Sequence, residues 1–89
     1  MKDETKAKRV LIVDDHPIVR HGLSQLIGQE KDLAVCGEAS TCREALEAFE
    51  RARPDVVMVD ISLPDSSGLS LIKQLRDLDT EIPILVLSM

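Results

Sequence analysis

The residues of this chain best equipped for chemistry are acids placed at the ends of apolar runs. Asp14 and Asp15 follow Val10-Leu11-Ile12-Val13, and Asp60 follows Val56-Val57-Met58-Val59. If the two runs are neighbouring strands, three carboxylates converge. Like charges about 4 Å apart repel by roughly 4 kcal/mol at an effective dielectric of about 20, so the group demands a cation or a shared proton. Hard oxygen donors of this kind suit Mg²⁺, commonly held by one or two carboxylates together with waters and phosphate oxygens. A carboxylate beside that ion can attack a phosphoryl group in line. Ser88, after a further run Ile84-Leu85-Val86-Leu87, would bring a hydroxyl to the same rim.

Plainer roles are open to each residue. Asp15 could cap a helix that begins just after it. Asp60 could open a turn through Pro64-Asp65-Ser66. Two apolar strands both ending in acid, at the edge where open α/β sheets bind their ligands, favour the joint reading. His16 and His21 lack the setting of a metal-binding pair and read as loop and helix-surface residues.

The elements that must position these acids follow from the pattern. The three apolar runs are short, unbroken and β-branched, as strands buried on both faces of a parallel sheet require. A weaker strand, 33–39, alternates and suits an edge. Between the strands lie helical stripes. The first carries Val19, Leu23, Leu26 and Ile27, with Pro17 in its first turn and Gly28 at its end. The second opens on the capping-box pattern Thr41-Cys42-Arg43-Glu44 and turns Ala45, Phe49 and Ala52 inward before Pro54 stops it. The third follows Ser66-Ser67-Gly68 and carries Leu71, Ile72, Leu75 and Leu78. Strict β-α alternation predicts right-handed crossovers and one parallel sheet with helices on both faces.

Composition narrows the function classes. Eighty-nine residues allow one small domain, and 44% apolar residues can build its core with Phe49 as the sole aromatic. A net charge of -5 argues against non-specific binding to DNA or to an anionic membrane. No run approaches the roughly 20 apolar residues of a membrane span. Residues 1–8 lack a signal-peptide core and read as a short flexible leader to a domain over 9–89. Cys36 and Cys42 are expected as reduced, small buried residues of a cytoplasmic protein.

The segments VLIVDDHPIVRHGL, RPDVVMVDISLPDSSGL and IPILVLSM resemble the motifs of the CheY-like response-regulator receiver superfamily. VDDHPIVRHGL is similar to its NarL/FixJ-type subfamily. The resemblance extends from about Arg9 to Met89. It implies a flavodoxin-like, three-layer αβα fold with strand order 2-1-3-4. It also implies Asp60 as phosphoacceptor, and Mg²⁺ held by Asp14, Asp15, Asp60 and the backbone carbonyl of Ser62. Pro64 and Gly68 match the loop after the acceptor, and Ser88 the switch hydroxyl. The phosphoryl donor would be a phosphohistidine on a sensor histidine kinase or phosphotransfer protein.

The resemblance stops short of a full receiver. The final helix-strand-helix, with the family's Lys and aromatic switch residue, has no counterpart here. Its absence would slow transfer or weaken the phosphorylated state. Many NarL/FixJ-type relatives continue into a helix-turn-helix DNA-binding domain, so DNA binding is not expected of this segment. A chain ending at Met89 on an apolar strand leaves an open edge, from which a homodimer, by edge pairing or domain swapping, is expected. Such a fragment could be signalling-incompetent. Enzyme readings fit less well. There is no aromatic partner for a flavin, no Asp-x-Asp of a dehalogenase-type phosphatase and no glycine-rich nucleotide loop.

Overall fold

The computed structural model describes residues 7–60 and 68–87. Its elements are β1 (Lys8–Val13), α1 (Pro17–Gly28), β2 (Leu33–Ala39), α2 (Cys42–Ala52), β3 (Val56–Asp60), α3 (Gly68–Leu78) and β4 (Ile84–Leu87). The four strands are all parallel, in the order β2-β1-β3-β4. The α/β, receiver-type fold and strand order expected from the sequence are those observed. β1 begins at Lys8, two residues before its apolar run, and the Lys8 amide donates to the Asp32 carbonyl at 2.8 Å.

Alternation along the central strands sorts the core into two layers. Leu11, Val13, Val57 and Val59 face α2 and α3, meeting Ala45, Ala48, Phe49, Leu71 and Leu75. Val10 and Ile12 face α1 and Ile27, with Leu23, Val35 and Met58 at the margin. Each fully buried aliphatic side chain contributes about 1.5–3 kcal/mol relative to exposure. The longest buried run, Val10–Val13, therefore anchors the strand that carries Asp14.

Some helix-facing expectations needed correction. Leu26 is 62% exposed and Leu78 53% exposed, although both extend their stripes in sequence. α1 packs across β1 and β2, and the described residues place nothing over its outer side. Gly28 ends α1, but the C-cap is Gln29 in ordinary right-handed conformation, so the glycine supplies no left-handed turn. The left-handed cap occurs instead at Arg53, after α2, immediately before Pro54. β4 is less buried than its composition predicts, with Leu85 and Val86 about half exposed. It is the sheet's edge among the described residues.

The capping box of α2 is real but displaced. The Glu44 amide donates to Thr41 Oγ1 at 3.1 Å, whereas the Glu44 carboxylate accepts from the amide and hydroxyl of Ser40 at 2.9 and 2.8 Å. Those two bonds hold the Glu44 carboxyl below its ordinary pKa. Cys42 is buried in the core and Cys36 partly so. Cys36 sits where the β1–β2 register slips between Val10 and Leu11, leaving it the extra residue on β2.

Candidate metal and phosphoacceptor site

Strand register builds the site. Val13 pairs with Val59, so the residues after them, Asp14 and Asp60, emerge side by side at the C-terminal edge of the sheet. Both are almost fully buried, at 3% and 1% exposure. Asp15, on the turn leading to α1, is about one quarter exposed. One ligand atom from each of Asp14, Asp15, His16 and Asp60 can be chosen so that all lie within 4.8 Å of one another. The sequence-predicted convergence of the three acids is what the structure contains.

The turn itself is tightly bonded. Asp14 donates its amide to the Ala39 carbonyl at the end of β2, at 2.9 Å. Its Oδ1 accepts the His16 amide at 2.8 Å, the short loop-closing bond typical of aspartate. Its carbonyl accepts from Arg20 Nη1 at 2.7 Å. The residue at the N-cap of α1 is His16, with no side-chain capping bond. Asp15 is therefore not the helix cap, and its plainer reading falls away.

His16 was missed as a site residue by the sequence reading. It is on the loop, as expected, and half exposed, but its ring turns inward. Nδ1 lies 3.1 Å from Asp14 Oδ1, 3.0 Å from Asp15 Oδ1 and 3.7 Å from Asp60 Oδ2. The hydrogen bond to Asp14 raises its pKa above the ordinary 6.5, helped by the Asp15 charge and opposed by desolvation. The available signal was adjacency: His16 shares one short turn with two acids, so its ring has few places to go. His21 is an exposed residue of α1, as expected.

The donor set fits a hard cation. Asp15 Oδ1 is buried and accepts no hydrogen bond among the described residues. A buried carboxylate oxygen left in that state costs about 1–3 kcal/mol or more, a cost that metal ligation would relieve. Ser62, Pro64 and Ser88 lie outside the described residues; Gly68 is the buried first residue of α3. A hollow of about 440 Å³ lined by Leu33, Asp55, Val56, Pro83 and Leu85 belongs to the opposite ends of the strands and contains none of these acids.

A buried acidic cluster at the strand tips of a β2-β1-β3-β4 parallel sheet defines a class of domain, and comparison with known proteins agrees with it. The family described as response regulator receiver domain matches residues 10–89, and this chain belongs to it. It is 40% identical over 80 residues to the DNA-binding transcriptional activator DevR/DosR of Mycobacterium tuberculosis, covering 90% of this chain and 37% of that protein. Against the nitrate/nitrite response regulator protein NarL of Escherichia coli K12 it is 37% identical over 79 residues, covering 89% and 37%. The crystal structure of a LuxR-family two-component response regulator from Aurantimonas sp. SI85-9A1 superimposes with a TM-score of 0.88 at 36% identity. That match covers 94% of this chain and 60% of the other. The chain thus spans a little over one third of the length of these curated relatives. No helix among the described residues is long and apolar enough to cross a membrane.

Proposed function

We propose that this domain is a phosphoacceptor switch of a two-component system, in which Asp60 takes a phosphoryl group from a phosphohistidine of a sensor kinase or phosphotransfer protein. The observation that carries this reading is the cluster of Asp14, Asp15, His16 and Asp60 at the tips of β1 and β3. In the transfer, the donor's N–P bond breaks as an O–P bond forms to an Asp60 carboxylate oxygen. The electron pair stays on the donor nitrogen, which takes up a proton.

Asp14 and Asp15, with the Ser62 carbonyl, would hold Mg²⁺ beside the acceptor. When bound, the ion would neutralise charge on the phosphoryl oxygens. Burial of Asp60 limits competing water, while Asp14 is braced by its bonds to the turn. Ser88 is assigned as the hydroxyl that meets the transferred group. Phosphorylation would add about one negative charge and strong acceptor oxygens at this edge. The domain is read as a non-enzymatic, cytoplasmic module that regulates transcription through other parts of a longer protein.

Incubation with acetyl phosphate and Mg²⁺, followed by intact-mass measurement, tests the assignment. A single phosphoryl adduct, lost on chelation of the metal and absent in Asp60→Asn, is expected. Equal labelling of both proteins would overturn it.

A further inference from the structure

We propose that Arg20 is the positioning residue of the acidic site, acting through the main chain of Asp14 to aim the Asp15 carboxylate. The inference rests on the metal-assisted reading given above. Arg20 is four-fifths buried on the first turns of α1 and joins three parts of the fold. Its Nη1 donates to the Asp14 carbonyl at 2.7 Å. Its Nε donates to Glu38 Oε1 on β2 at 3.1 Å. Glu38 is itself steadied from α1, where Ser24 Oγ donates to Oε2 at 2.8 Å.

The consequence follows from peptide geometry. The Asp14 carbonyl is one end of the planar peptide that leads into Asp15. The bond from Arg20 to the carbonyl holds that plane, and the bond from the Asp14 amide to Ala39 holds the preceding one, so the backbone rotations at Asp14 are fixed from both sides. The direction of Asp15 is then set, and with it the buried Oδ1 that accepts no hydrogen bond. A planar guanidinium suits this task because it can bond a carbonyl and a carboxylate at once, which a lysine ammonium does less well. Neither the motif reading nor the family match assigns a role to Arg20.

The sign of the effect separates positioning from simple charge. A cationic guanidinium near the site repels a metal ion, so charge alone predicts tighter Mg²⁺ binding when Arg20 is removed. Positioning predicts the reverse. Orienting partners of metal ligands are worth about 10- to 100-fold in affinity, and Arg20→Ala is expected to weaken Mg²⁺ binding by that factor in calorimetric titration. Arg20→Lys should recover part of the loss, and Glu38→Gln should show a smaller one. Labelling by acetyl phosphate should return toward the wild-type level at saturating Mg²⁺.

A second readout needs no metal. In Arg20→Ala the His16 amide, which closes the turn onto Asp14, should exchange its hydrogen faster, while the Val57 amide in the sheet keeps its protection. Unchanged His16 exchange, or Mg²⁺ binding that is unchanged or tighter, overturns the assignment. Should Arg20→Ala fail to fold, Arg20→Lys and Glu38→Gln decide, and wild-type behaviour of both overturns it. Failure of the wild-type protein to bind Mg²⁺ at all, with Asp15→Asn identical, would instead remove the metal reading and leave the exchange measurement to judge Arg20.

Discussion

His16 Nδ1 lies 3.0 Å from Asp15 Oδ1, close enough for the imidazole to act as the built-in counter-charge of the acid pocket. The ring answers to three carboxylates at once. That relationship makes the protonation of one histidine a reporter of the whole site.

NMR titration should accordingly find His16 protonated to higher pH than an ordinary histidine. Its folded-state pKa is raised, so the stability it contributes is present below the unfolded value near 6.5 and is lost as pH rises through the folded value. Asp14→Asn should move the midpoint down most, because the Asp14 hydrogen bond is the largest cause. A midpoint at or below 6.5 would contradict the geometry.

The two adjacent acids should behave oppositely when truncated. Asp14→Ala removes the acceptor of the His16 amide and is expected to cost about 1–3 kcal/mol in urea unfolding. Asp15→Ala removes a buried oxygen that accepts no hydrogen bond and relieves repulsion. Above the His16 midpoint, where the neutral ring no longer supplies a counter-charge to Asp15, it should leave the metal-free protein as stable as wild type or slightly more so.

At the start of α2, Thr41→Ala should cost about 1 kcal/mol through loss of the cap. Glu44 titrates low because it accepts two bonds from Ser40. Its contribution is thus present above the unfolded glutamate range and lost as pH falls through the lowered folded value. Ser40→Ala should raise the Glu44 midpoint in a carboxyl-carbon NMR titration. No movement would mean that the Ser40 hydroxyl bond is not made in solution.

Two glycines predict opposite signs. A methyl at Gly22, inside α1, meets nothing within 4 Å, so Gly22→Ala should stabilise by roughly 0.5–1 kcal/mol from helix propensity and unfolded-chain entropy. At Gly37, opposite Leu11, the same methyl comes within 3.2 Å of Leu11 Cδ1. Gly37→Ala should destabilise by about 1–3 kcal/mol, the usual range for overpacking. Thermal unfolding of the two variants beside wild type checks both.

Much of this was legible in the order of residues. Unbroken apolar runs can be satisfied only by burial on two faces, and their alternation with helical stripes leaves a parallel sheet as the solution. Acids ending two of those runs marked the edge where a site would form. The resemblance carried by VLIVDDHPIVRHGL supplied strand order, which periodicity alone does not contain.

Tertiary structure decided what depends on distance between remote segments. The pairing of Val13 with Val59 turns Asp14 and Asp60 from two strand ends into one pocket. His16 became a site residue because Asp14 folds the turn back on itself and aims the ring inward, a direction that side-chain type does not encode. Nothing in the local pattern singles out Arg20, yet packing of α1 against β2 brings its guanidinium to both Glu38 and the Asp14 carbonyl. Local pattern specifies which residues can be buried; only the packed arrangement specifies which of them meet.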